Sequence, residues 1–87
     1  DLVLPRGRSE AELIEGASGV DAIMTNWATT SAAVIGRAPD CRIVARLGIG
    51  LDNIDVAYCT SRGIPVTNVP DYCVIEVAEH AMALLLA

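Results

Sequence analysis

Lysine and phenylalanine are both absent from the 87 residues, and aromatic side chains make up only 3% of them. A core without Phe has to be built from Ala, Val, Leu and Ile. That suits packed parallel strands and helices better than an aromatic binding platform. The basic residues are six arginines with no basic run, and the net charge is −5. Such a chain is a poor match for phosphate backbones or anionic membranes, so no nucleic acid and no membrane surface is expected as a partner. No run of about 18 apolar residues is present, which excludes a membrane-spanning helix. The opening DLVLPRGRSE lacks the basic leader and long apolar region of a signal peptide. The expected setting is therefore cytoplasmic. The cysteines, Cys41, Cys59 and Cys73, are odd in number and lie 18 and 14 residues apart, which fits no zinc pattern. They read as reduced thiols, with a ligand, redox or catalytic role as the alternative.

What the chain has in quantity is apolar surface, 53% of its residues. A chain this short hides only part of the surface its unfolded form exposes. Some of that apolar surface is expected to pack on something outside these residues.

Along the chain, strand and helix signals alternate. LVLP at 2–5 reads as the end of a strand. Ser9 with Glu12 three residues on is a capping box, opening a helix with Leu13 and Ile14 inward that ends near Gly16. Val20 to Met24 reads as a strand. Thr29, Thr30 and Ser31 offer an N-cap for a helix carrying Ala33, Val34 and Ile35, closed between Gly36 and Pro39. Arg42 to Leu47 is a strand. Asp55 caps a helix through Arg62, with Gly63 at its C-terminal end. Ile64 to Val69 is a further strand, with Pro65 placed at its start or on an edge, because proline gives no ladder donor. Pro70-Asp71 turns into a last helix, over about 72–87, whose apolar residues Val74, Val77, Ala78, Ala81, Leu84 and Leu85 follow helical spacing. This rhythm predicts an α/β fold, a parallel sheet with flanking helices.

The last helix ends AMALLLA, apolar all round, and such a helix is expected to be buried all round. The expectation is that the natural chain continues and that this helix passes under a second domain. The start at Asp1, read as lying inside a strand, leads to the expectation of a missing beginning as well.

The stretch RLGIGLDNID, Arg46 to Asp55, is the candidate site. Ligands of parallel α/β sheets gather beyond the carboxyl ends of strands, where Gly48-Ile49-Gly50 falls. Glycines permit close backbone approach and positive φ, and successive amide N–H groups there form an anion cradle. Without Lys or Walker spacing, the cradle suits a small carboxylate better than a triphosphate. The residue three after Gly50 is Asn53, so the G-x-G-x-x-G dinucleotide pattern fails. The competing reading is a plain strand-to-helix turn capped by Asp55. Arg46 is either an anion partner or a strand-end arginine paired with Asp52 or Glu79. Asp52, Asn53 and Asn68 are expected to bond their own turns. Glu79 and His80 point about 100° apart on a helix, so Glu76 and His80, at i and i+4, are the better couple.

Arg42 to Ala87 resembles the D-isomer-specific 2-hydroxyacid dehydrogenases in ARLGIGLDNID, in GIPVTNVP and in VAEH opening a long helix. VDAIMT with its Thr/Ser-led helix fits the same family more loosely. NVPDYC followed by VAEHAMALLLA is similar to the branch often called C-terminal-binding-protein-like. The resemblance implies a flavodoxin-like substrate domain, split in sequence around an inserted nucleotide-binding domain. Residues 1–87 would be an incomplete substrate domain, its last helix leading toward the nucleotide domain.

By the same resemblance, the backbone of Gly48, Ile49 and Gly50 binds the substrate carboxylate and Tyr72 stands beside the substrate. Val77 lies near the nicotinamide. For Tyr72 and Val77 the plain alternatives are a helix-entry residue and a core valine. The family's catalytic arginine, glutamate and histidine fall beyond Ala87, so no catalytic residue is expected here and His80 is not the general acid. The implied reaction is hydride transfer between NAD, with NADP open, and C2 of a small 2-hydroxy or 2-keto acid, in a homodimer. The isolated 87 residues are expected to be inactive. The alternatives are an NAD-sensing scaffold like the corepressors of that family and a non-catalytic flavodoxin-like module.

Overall fold

The structure, a computed structural model, describes residues 1–87. Its elements run α1 (Glu10–Gly16), β1 (Ile23–Thr25), α2 (Ala32–Gly36), β2 (Val44–Arg46), α3 (Val56–Ser61), β3 (Val66–Thr67) and α4 (Val74–Leu86). The three strands form a parallel sheet in the order β1-β2-β3. This is the α/β, partly flavodoxin-like layout expected from the alternating pattern.

Local signals set the helix ends. Ser9 Oγ accepts from Glu12 N at 3.3 Å, and the Glu12 carboxylate accepts from Ser9 N at 3.1 Å, which closes both halves of the capping box. The Ser9 hydroxyl, donating to Glu12 Oε2 at 2.6 Å, and then the Ser9 N–H hold the Glu12 carboxyl below its ordinary value of 4.5. Ser31 caps α2 and also donates to Glu10 Oε1 at 2.6 Å, docking α1 onto α2. Asp55 Oδ1 accepts from Tyr58 N at 2.9 Å to start α3. Gly63, at φ 69°, ends that helix in the left-handed conformation that glycine adopts without strain.

The sheet register puts Ile23, Val44 and Val66 in one row. With strand side chains alternating, this row faces the core formed by Ile35, Ala38, Cys41, Ile54, Cys59 and Ile64. Met24, on the opposite face, is 71% exposed, so the chain covers one face of the sheet and leaves the other open. Arg62 ties α3 to α2, its guanidinium donating to the carbonyls of Ile35, Ala38 and Pro39. Cys41 and Cys59 are buried free thiols, and burial pushes the Cys59 thiol above its ordinary value of 9.0.

Three expectations need correction. LVLP is no strand: residues 1–8 make no backbone ladder bond, and Leu2 and Leu4 are largely exposed. Nothing in the chain pairs with it. The strand expected at Val20 to Met24 is seen at Ile23–Thr25, because pairing follows the partner strand; the ladder reaches back only through Arg42 N to Asp21 O at 2.8 Å. The strand expected from Ile64 shrinks to Val66–Thr67. Pro65 offers only its carbonyl, which accepts from Val44 N at 3.0 Å, and so sits at the start of an edge strand. The expected cover of α4 is a second domain, and the 87 residues alone supply none. Every one of its residues is exposed, and the molecule extends 49 × 27 × 23 Å. Nothing within these residues covers its apolar sides. None of the helices is long and apolar enough to cross a membrane.

Candidate functional site

Three loops follow the carboxyl ends of β1, β2 and β3, and hydrogen bonds tie them into one surface. The middle one is Gly48-Ile49-Gly50. Its carbonyls are engaged: Val69 N donates to Gly48 O at 2.9 Å, and Asn68 Nδ2 donates to Ile49 O at 2.8 Å. Its amides are not. The N–H groups of Gly48, Ile49 and Gly50 donate to no backbone or side-chain acceptor. Gly48 is buried, whereas Ile49 and Gly50 are exposed, so two successive accessible unpartnered donors stand at the strand end, partial positive charges suited to a small anion.

Arg46 supplies a full charge beside them. Its Nε donates to Asn53 Oδ1 at 3.2 Å and its Nη1 to Asn26 Oδ1 at 3.1 Å, and the guanidinium lies 5.5 Å from the Trp27 ring centre. It takes neither Asp52 nor Glu79 as a hydrogen-bond partner, so the expected carboxylate pairing is replaced by neutral amides. Two amide partners orient a guanidinium without neutralising it. A Cβ added to Gly48 would strike Nη1 of this group and stand 3.2 Å from Cζ. The backbone and the charge therefore touch, and glycine is what lets them. Gly48 and Gly50 do not have positive φ, which occurs among the glycines only at Gly19 and Gly63. Close approach, and not left-handed backbone, explains the glycine here. Beyond Gly50, Asp52 Oδ1 lies 2.9 Å from where a Cβ would stand, so the loop carries charges of both signs.

Asn53 is the hub of the cluster. Besides holding Arg46, its Nδ2 donates to Asn26 O at 3.0 Å and to Ala28 O at 2.9 Å. Thr30 N donates to Asn53 O at 2.7 Å, and Thr30 and Ile54 form an isolated parallel bridge. Neither Asn53 nor Asn68 bonds its own turn as the sequence suggested; both reach across to other loops. Asn26 and Trp27, distant in sequence, carried no signal of their own.

The remaining candidates sit apart from the amides. Tyr72 is exposed and its N donates to Val69 O at 3.3 Å, which joins it to the Asn68 loop without a bond to the glycines. The Cys73 thiol against its hydroxyl holds the phenol above its ordinary value of 10.0. Cys73 itself is left-handed, at φ 54°, and enters α4 with no side-chain cap. Val77 stands exposed one turn into α4, and no hydrogen bond joins Glu76 to His80. A cavity of about 390 Å³ lies elsewhere, against β1 between α1 and the first residues, with Val3, Leu13, Met24 and Trp27 among its walls. It touches none of the glycine loop.

Comparison with known proteins decides the ancestry. The sequence profile described as "D-isomer specific 2-hydroxyacid dehydrogenase, catalytic domain" matches residues 1–83. The chain belongs to the D-isomer-specific 2-hydroxyacid dehydrogenase family. Within that family it is 45% identical over 82 residues to the D-3-phosphoglycerate dehydrogenase of Mycobacterium leprae, covering 93% of this chain and 16% of that one. The NAD+-bound 3-phosphoglycerate dehydrogenase of Entamoeba histolytica superposes with a TM-score of 0.83 at 25% identity, over 92% of this chain and 26% of that one. An NADPH-dependent glyoxylate/hydroxypyruvate reductase of Sinorhizobium meliloti, solved with NADP and malonate, gives 0.68 at 38% identity, over 77% of this chain and 21% of that one. The chain thus spans about a sixth of the dehydrogenase from M. leprae.

Proposed function

We propose that this chain forms the carboxylate-binding part of a nicotinamide-dependent dehydrogenase that interconverts a D-2-hydroxy acid and its 2-keto acid. The observation that carries the reading is the run of unpartnered amides at Gly48, Ile49 and Gly50 with the Arg46 guanidinium against Gly48. A 2-keto acid presents a carboxylate next to the carbon that changes oxidation state. Fixing that carboxylate fixes C2. Hydrogen bonds from N–H groups to a charged acceptor are worth about 1.5–3 kcal/mol each, and the nearby cation adds to them. The protein's contribution here is orientation, and the hydride comes from the nicotinamide when it is bound.

The residues present fit one edge of that cofactor. Val77, with Val74 one turn before it on the same side of α4, offers open apolar surface for a flat ring. No glycine pattern for a dinucleotide phosphate occurs in the 87 residues, so the rest of the cofactor would be held by a nucleotide-binding domain outside them. The exposed apolar sides of α4 are the surface that such a domain would cover, in a cytoplasmic homodimer. His80, exposed on α4 without a hydrogen-bonded carboxylate, is not the proton donor in this reading. Tyr72 would border the substrate from the Asn68 loop.

The names of the relatives set the order in which substrates are tried: D-3-phosphoglycerate first, then hydroxypyruvate and glyoxylate. The full-length protein should reduce NAD or NADP with the first, or oxidise the reduced cofactors with the others. Failure with the whole panel would overturn the reading. Capture of peptides that changes with NADH, in the absence of turnover, would instead support the corepressor-like role suggested by NVPDYC.

A further inference from the structure

The direction of the free Ile49 and Gly50 amides is set by the neighbouring loop. In a trans peptide the C=O and N–H point to opposite sides of one rigid plane. The Gly48 carbonyl shares its plane with the Ile49 N–H, and the Ile49 carbonyl shares its plane with the Gly50 N–H. Both carbonyls are pulled toward the loop after β3, the first by Val69 N at 2.9 Å and the second by Asn68 Nδ2 at 2.8 Å. Both N–H groups are thereby turned away from that loop. The first clasp is backbone and independent of side-chain identity. The second depends on one exposed side chain, Asn68.

We propose that Asn68 is a positioning residue for the carboxylate socket: by holding the Ile49 carbonyl it fixes the peptide plane that aims the Gly50 N–H at the substrate. The inference rests on the carboxylate-socket reading given above. Without the clasp, the Ile49–Gly50 plane is free to rotate, since glycine opposes rotation weakly. The donor then has to be reordered each time a substrate binds, which weakens binding without touching the chemistry or the cofactor. Glutamine at this position keeps the donor on a longer stem, whereas alanine removes it.

The test uses the full-length protein, with Asn68→Ala and Asn68→Gln beside the wild type. Asn68→Ala should raise KM for the best 2-keto acid by about five- to tenfold, the equivalent of one net hydrogen bond, with KM for the cofactor and the melting temperature unchanged. Asn68→Gln should recover most of the loss. A change of less than about twofold in Asn68→Ala, or a glutamine variant as impaired as the alanine one, would overturn the proposal. A second measurement separates this failure from failure of the socket itself. Protein labelled with 15N at Ile and Gly is titrated with oxamate, an unreactive isostere of a 2-keto acid. Wild-type shifts at Ile49 and Gly50 that need about five- to tenfold more oxamate in Asn68→Ala support the role of Asn68. Shifts at equal oxamate in both proteins overturn Asn68 alone. No shift in the wild type overturns the socket and Asn68 together.

Discussion

Gly48→Ala is the perturbation whose consequence follows most directly from the geometry. The backbone at Gly48 is not left-handed, so alanine meets no conformational barrier there, and it narrows the unfolded ensemble by a favourable 0.4–1 kcal/mol, roughly. Its Cβ, however, would strike Arg46 Nη1, and the guanidinium has to move. Moving it breaks the bonds to Asn53 at 3.2 Å and Asn26 at 3.1 Å and lifts the group off the Trp27 ring. The guanidinium is partly exposed, so water replaces some of what is lost; two such bonds and an exposed cation–π contact amount to about 1–3 kcal/mol. Net destabilisation should therefore be modest, about 0–2 kcal/mol. The effect on the substrate should be larger. A carboxylate deprived of a charge-assisted contact loses about 1.5–3 kcal/mol, or about ten- to a hundredfold in KM. Steady-state kinetics of the full-length protein, beside a thermal melt, measure both. Because alanine acts through Arg46, the double variant Gly48→Ala/Arg46→Gln should be no worse than Arg46→Gln alone. Additive losses in that cycle would refute the reasoning.

Gly63→Ala should show the opposite pattern: a left-handed alanine costs about 1–2 kcal/mol of stability, and KM for the 2-keto acid stays unchanged. Asp52→Asn should lower that KM by about threefold at low salt, and less at high salt, because it removes an exposed like charge beside Gly50. Asn53→Ala should destabilise by about 1–3 kcal/mol and raise KM as well, since it releases Arg46 and leaves the Asn26 carbonyl without its donor, while the Ala28 carbonyl keeps the Thr25 and Thr30 hydroxyls; urea unfolding and kinetics read the two effects. Two pH dependences follow from the shifted groups. The Glu12 carboxyl is held below its ordinary 4.5, so the capping box stabilises above that pH and its contribution fades as pH falls through the lowered value. The Cys59 thiol is raised above 9.0, so stability tied to its neutral form is full below pH 9.0 and declines above it, and iodoacetamide should leave Cys59 unmodified in the folded protein at neutral pH.

The features legible in the sequence were those in which partners lie three or four residues apart. Ser9 with Glu12, Ser31, Asp55 and Gly63 all sit where their caps require them, because a helix end is satisfied by its own neighbours. The glycine loop was legible as a place, but for a partly mistaken reason: Gly48 is small because Arg46 presses against it and not because its φ is positive. What could not be read were the links between loops. Asn53 to Asn26 spans 27 residues and Asn68 to Ile49 spans 19, and an asparagine in a turn looks the same whether it bonds its own backbone or another loop. LVLP failed for a related reason. Its apolar pattern implies pairing, and pairing depends on a partner strand that these residues do not contain.

The most direct measurement is a crystal structure of the full-length protein with a 2-keto acid or an unreactive analogue bound. The account predicts carboxylate oxygens about 2.9 Å from the Ile49 and Gly50 nitrogens, with the Arg46 guanidinium on the same side. A carboxylate bound elsewhere, with those two amides facing water or a protein acceptor, would contradict it.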